Sequence, residues 1–178
     1  MSSDKEVKHY WILRDFSRCS GCRLCEVVCS LEHEGRIWPE ASRIRVMELF
    51  PGVNIPVLCS QCSDYPCVKS CPINALSVDD KTGAVIVDES KCDGCGVCIV
   101  SCPAKALKLH PAKRKVIVCD LCGGSPRCVE VCNSLGFNAL RLVTKYADIA
   151  KAYATDPLKF HELIMEKLMG GQHVRLLE

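Results

Sequence analysis

Residues 92–102 read CDGCGVCIVSC, and Pro103 follows. Four thiols in eleven residues are hazardous unless something binds them, because free thiols oxidise and cross-link. The spacing Cys92-x2-Cys95-x2-Cys98-x3-Cys102 then recurs with variations. Cys19, Cys22, Cys25 and Cys29 repeat it exactly in number. Cys59, Cys62, Cys67 and Cys71 widen one gap and end on Pro72, and Cys119, Cys122, Cys128 and Cys132 widen it further. These motifs use all sixteen cysteines of the 178-residue chain.

A cysteine share of about 9 % leaves a disulfide framework or a metal framework. Disulfides require an oxidising compartment. The N-terminal stretch MSSDKEVKHYWILRDFSRC has no apolar core or small-residue cleavage site, and no run approaches the length of a membrane span. A cytoplasmic setting is therefore expected, in which thiols stay reduced. The formal charge of +2 and the lack of a long basic run give no sign of nucleic-acid binding.

Structural zinc uses two Cys-x2–4-Cys pairs a dozen or more residues apart. A third thiol at x2 spacing instead suits one face of an iron–sulfur cubane, and the trailing Cys-Pro marks the two-cluster ferredoxin pattern. Gly21 and Gly94 lie inside such loops, where positive φ lets backbone N–H groups approach sulfur. Each motif is thus expected to give three ligands to one [4Fe–4S] cluster and its fourth to a neighbour. Four clusters with sixteen thiolates would take the net charge from +2 to about −6. Metal binding would supply the folding free energy that a small core lacks, so the metal-free chain is expected to be unfolded or aggregated.

The flanks repeat too. HYWIL, NIPVL, AVIVD and KVIV precede the motifs, and ALSVD, ALKLH and ALRLV follow three of them. Period-2 alternation predicts short strands, and DDKTG (79–83) and HPAKR (110–114) predict hairpin turns. The expected unit is strand, cysteine loop, short helical turn ending at the last cysteine, strand. Residues 30–58 insert a loop with Trp38 and Pro39 and an alternating RIRVME strand.

The four motifs, over residues 9–143, resemble the four-cluster iron–sulfur subunits of molybdenum- and tungsten-pterin oxidoreductases. That group includes dimethyl-sulfoxide-reductase-type enzymes, formate dehydrogenases and tungsten aldehyde oxidoreductases. The resemblance implies an α+β fold of tandem bacterial-ferredoxin-like repeats, with an inner ferredoxin (54–110) and an outer pair from 9–53 and 111–143. It implies four crossed ligand sets. One is Cys59, Cys62, Cys67 with Cys102, and its mate is Cys92, Cys95, Cys98 with Cys71. The outer sets are Cys19, Cys22, Cys25 with Cys132, and Cys119, Cys122, Cys128 with Cys29. It further implies electron transfer in a hetero-oligomer with a large tungsten- or molybdenum-pterin subunit, and a ferredoxin or flavoprotein as acceptor. The cytoplasmic setting and oxygen-sensitive clusters suggest an anaerobe. A freely diffusing polyferredoxin is the alternative, and an iron–sulfur or zinc protein with a structural or sensing role is a third reading. Ser30 and Asn133 stand where the family pattern of motifs two and three has proline.

No Ser/His/Asp or Cys/His constellation, phosphate loop or dinucleotide fingerprint is present, so no catalytic residue is assigned. His9, His33, His110, His161 and His173 share no spacing with one another or with a carboxylate pair. Trp11 and Trp38 read as packing residues, and Lys113-Arg114-Lys115 as a solvated turn or a docking point for an acidic partner. Residues 144–178 read as a helical extension: Asp156-Pro157 as N-cap and first residue, Phe160, Leu163, Ile164 and Leu168 as an apolar stripe, Gly170-Gly171 as the stop.

Overall fold

The computed structural model describes residues 9–50, 52–144, 154–159, 162 and 166. They form a small α+β structure of short strands and helices. The strands are β1 (Tyr10–Arg14), β2 (Arg45–Phe50), β3 (Val53–Val57), β4 (Leu76–Val78), β5 (Val85–Val87), β6 (Lys108–Leu109), β7 (Val116–Ile117) and β8 (Leu140–Thr144). The helices are α1 (Leu24–Glu34), α2 (Pro66–Lys69), α3 (Val97–Val100) and α4 (Arg127–Ser134).

The strands pair antiparallel into two-stranded ladders, β2–β3, β4–β5, β6–β7 and β1–β8. Three are local hairpins of the expected β-branched runs. In the β4–β5 turn the Asp79 carboxylate accepts the Thr82 N–H at 3.0 Å, the side-chain turn that an Asp at this place favours. The fourth ladder closes the chain, with Trp11 opposite Val143 and Ile12 opposite Leu142. It brings the strand before the first motif beside the strand after the last.

Such short ribbons bury little on their own. Accordingly the core mixes sulfur with aliphatic side chains: Ile12, Ile44, Leu58, Val85, Leu121 and Leu140 pack with buried thiols such as Cys59, Cys98 and Cys128. Trp11 is buried and serves packing, as expected.

The helices correct one expectation. In motifs two and three they stop just before the fourth cysteine, at Lys69 and Val100. In motifs one and four they run past it, to Glu34 and Ser134. Proline at 72 and 103 disfavours helical φ/ψ in the residue before it. Ser30 and Asn133 impose no such restriction. Ser30 is fully buried, and its hydroxyl donates to the Val27 carbonyl (2.8 Å) while accepting the Trp38 N–H (3.0 Å). The missing proline thereby becomes an anchor for the 30–44 insertion.

Beyond it, the Glu34 carboxylate accepts from Arg43 (2.5 Å) and from His110 Nε2 (3.1 Å). His110 Nδ1 accepts the N–H groups of Ala112 (3.1 Å) and Lys113 (3.0 Å), so its proton sits on Nε2. Trp38 meets the His110 ring edge-on at 5.1 Å, and the Arg36 guanidinium lies 4.1 Å over the Trp38 ring. The insertion is thus pinned to the β6–β7 turn. At the far end, residues 157–159 are helical and the Asp156 side chain accepts the Leu158 N–H at 3.0 Å, the predicted cap. Phe160, Leu163, Ile164, Leu168 and Gly170-Gly171 lie outside the described residues.

Candidate iron–sulfur centres

In each motif the residue two places after the first cysteine is left-handed: Gly21 at φ +73°, Gln61 at +40°, Gly94 at +78° and Leu121 at +58°. This turns the chain around the sulfurs. The N–H of Gln61 then reaches the Cys59 sulfur at 3.4 Å, and the N–H groups of Gly21 and Leu121 bond Cys19 and Cys119 likewise. After the fourth cysteine, Asn74 and Lys105 are left-handed in turn. They aim the next N–H back, so Ala75 donates to the Cys71 sulfur (3.2 Å) and Ala106 to the Cys102 sulfur (3.4 Å). Val116 donates to Cys92 at 3.5 Å and Arg43 to Cys29 at 3.2 Å. Donors converging on sulfur stabilise thiolate, the form that holds iron.

The thiols also act on one another electrostatically across motifs. Burial pushes Cys59 up to about 12, with Cys67, Cys102 and Cys62 adding to the rise. Burial, then Cys71 and Cys92, raise Cys98 to about 11. Burial raises Cys19, and Cys22 and Cys132 raise it further against the Gly21 bond. Burial takes Cys128 well up, and Cys29, Cys25 and Cys122 act in the same direction. Burial likewise raises Cys119, whose thiol neighbours are Cys128, Cys59 and Cys29. Burial raises Cys67 to about 12, and among its neighbours are Cys102 and Cys98. Cys22 and Cys95 are exposed. A cleft is lined by Cys19, Cys22, Cys25 and Cys132 together with Leu24, Val46, Leu135 and Leu140. Clustered thiols, inward N–H groups and apolar walls fit an iron–sulfur cluster.

His33 joins the first and fourth motifs. His33, four residues after Cys29, puts Nδ1 2.8 Å from the Cys29 carbonyl and 3.8 Å from its sulfur. Its Nε2 lies 3.1 and 3.2 Å from the two oxygens of Asp120, and Oδ1 of that carboxylate accepts the Cys122 N–H at 2.9 Å. The Asp120 bond, then the Cys29 bond, raise His33 to about 10 against burial. Burial works against the Asp120 carboxylate, but the His33 and Cys122 bonds outweigh it and hold it below its ordinary range. Burial likewise opposes the Cys29 thiolate, and bonds from His33, Ser42 and Arg43 outweigh it. These His–carboxylate pairs span 87 and 76 residues, so no local spacing announces them.

Lys113-Arg114-Lys115 is also more than a solvated turn. Lys115 donates to the Cys92 carbonyl, and Lys113 pairs with Glu89 at 3.3 Å. Among the described residues no helix is long and apolar enough to cross a membrane.

Comparison with known proteins agrees with this chemistry. Residues 52–141 match the 4Fe-4S dicluster domain. The chain is 56 % identical over 169 residues to the aliphatic sulfonate oxidoreductase, polyferredoxin-like subunit, of Pyrococcus furiosus, covering 94 % of this chain and 98 % of that protein. It is 35 % identical over 143 residues to the thiosulfate reductase electron transfer subunit PhsB of Salmonella typhi (71 % and 72 % covered). It is 34 % identical over 147 residues to the electron transport protein HydN of Escherichia coli (68 % and 82 % covered). The sixteen cysteines are consistent with four [4Fe–4S] clusters. The chain belongs to the 4Fe-4S dicluster domain family, as an iron–sulfur electron-transfer subunit of oxidoreductases.

Proposed function

We propose that the chain relays single electrons between a large catalytic subunit and an external carrier through four clusters held by crossed ligand sets. The sets are Cys19/Cys22/Cys25/Cys132, Cys119/Cys122/Cys128/Cys29, Cys59/Cys62/Cys67/Cys102 and Cys92/Cys95/Cys98/Cys71. The observation that carries this reading is the cleft that Cys132 shares with Cys19, Cys22 and Cys25; the charge of Cys29 acting on Cys128, of Cys102 on Cys59 and of Cys71 on Cys98 supports the other sets.

Further neighbours supply an order. Cys128 feels Cys25, Cys119 feels Cys59, and Cys67 feels Cys98. The ligand sets therefore run first motif, fourth, second, third, with the exposed Cys22 and Cys95 on the two terminal sets. Bound clusters supply one-electron redox steps; the chain supplies spacing, N–H bonds to sulfur and burial, which set the potentials. The β1–β8 pairing supports an outer unit from 9–53 and 111–143 beside an inner ferredoxin at 54–110, and we assign 144–178 as an extension.

The Pyrococcus furiosus relative, similar over nearly its whole length, supports a partner acting on an aliphatic sulfonate. We assign that partner a tungsten- or molybdenum-pterin centre, a cytoplasmic anaerobic setting, and a ferredoxin or flavoprotein acceptor. The test is purification of the complex from its source without oxygen. A large subunit comigrating with tungsten or molybdenum, and sulfonate-dependent reduction of the clusters, are expected. Iron without a partner subunit would instead indicate a diffusing polyferredoxin.

A further inference from the structure

We infer that His33 is a positioning residue that raises the reduction potential of one cluster, the one assigned to Cys119, Cys122, Cys128 and Cys29. The inference rests on that ligand set.

The reason lies in the missing proline. In motifs two and three, the residue four places after the last cysteine turns its backbone N–H onto that sulfur, from Ala75 to Cys71 and from Ala106 to Cys102. In motif one the helix continues through this position, and its geometry commits the His33 N–H to the i−4 carbonyl, that of Cys29. The Arg43 N–H, at 3.2 Å, serves the sulfur instead. The His33 imidazole lies beside the same ligand, with Nδ1 2.8 Å from the Cys29 carbonyl and 3.8 Å from its sulfur. The fourth motif has no such side chain, since Gly136 occupies the matching place after Cys132.

The other ring nitrogen holds Asp120, whose carboxylate caps the Cys122 N–H at 2.9 Å. His33 and Asp120 together thus link two residues of a single proposed set. The Asp120 charge also acts on Cys122, raising it together with burial. A carboxylate beside a cluster disfavours electron addition, and its pairing with His33 offsets this. Donation toward the Cys29 ligand works in the same direction.

The test is an anaerobic redox titration of the iron-loaded complex, followed by electron paramagnetic resonance, with Cys122→Ser identifying the signal of this cluster. Iron and sulfide content, measured first, separates failure of the cluster assignment from failure of this inference. His33→Leu should lower that one potential enough to change its oxidised-to-reduced ratio tenfold at fixed potential, which is about 59 mV for a one-electron step. His33→Gln, which keeps one donor, should shift it less and in the same direction. Adding Asp120→Asn to His33→Leu should return it part of the way. Four unchanged potentials in a fully loaded variant, or movement of a different signal, would overturn the inference. Loss of the cluster in both His33 variants would do so too, making His33 purely structural.

Discussion

The α-carbon of Gly94 packs under the carbonyl of Arg114, so closely that a Cβ there would lie 2.0 Å from the oxygen. The contact joins the Cys92–Cys95 loop to the β6–β7 turn. That turn sends the Lys115 ammonium to the Cys92 carbonyl and the Val116 N–H to the Cys92 sulfur. Gly96, two residues on, shares the left-handed conformation but has nothing within 4 Å.

The pair makes a controlled comparison. Gly96→Ala should cost about 1–2 kcal/mol, the backbone strain alone. Gly94→Ala should cost more, because backbone must move, and should selectively deplete the third-motif cluster. Thermal unfolding and iron content of the two variants check this. Equal effects would mean that the Arg114 contact is unimportant.

Crossed ligation gives the next prediction. Cys71 acts on Cys98, outside its own motif. Cys71→Ser should therefore damage the cluster of Cys92, Cys95 and Cys98 and leave that of Cys59, Cys62 and Cys67. Low-temperature spectra of the reduced variant distinguish the two, and loss of the second-motif cluster instead would refute the ligand sets.

Much of this was legible in the residues. Alternation marks Leu76–Val78 and Leu140–Thr144 because one face of each meets the core, and the repeated thiol spacing marks the 4Fe-4S dicluster domain family. The helix ends were readable only in hindsight, through Pro72 and Pro103 against Ser30 and Asn133. Gln61 and Leu121 hide the left-handed turn that glycine advertises at Gly21 and Gly94. The pairs His33–Asp120 and Glu34–His110 are tertiary, formed between segments with no common period, so a linear reading had no access to them.

Glu34 tests the insertion's anchor. Burial opposes its carboxylate, while Arg43 and His110 outweigh that and hold it below the ordinary range. Glu34→Gln would leave the Arg43 guanidinium largely buried without its counter-charge, at a cost of about 3–5 kcal/mol. Denaturant unfolding of the loaded protein should register this loss. Glu89→Gln, at a pair nearly half exposed on each side, should cost under about 1 kcal/mol.

Metal removal should unfold the chain, since sulfur-lined sites occupy much of its core. Its pH dependence has a definite sign. Without metal, burial holds Cys25, Cys59 and Cys67 protonated up to about 12. Iron must displace those protons, so binding releases them and weakens as pH falls. Iron loss to a chelator, followed by absorbance with circular dichroism, should accelerate on acidification. A rate independent of pH would contradict thiolate ligation at these positions.

The most direct test of the relay is a count of iron, acid-labile sulfide and reducing equivalents per chain, made on anaerobically purified protein. The account predicts about sixteen irons and sixteen sulfides, and uptake of about four electrons on full reduction, one for each cluster. Zinc in place of iron, or a chain loaded to about eight irons that takes up two electrons, would contradict it.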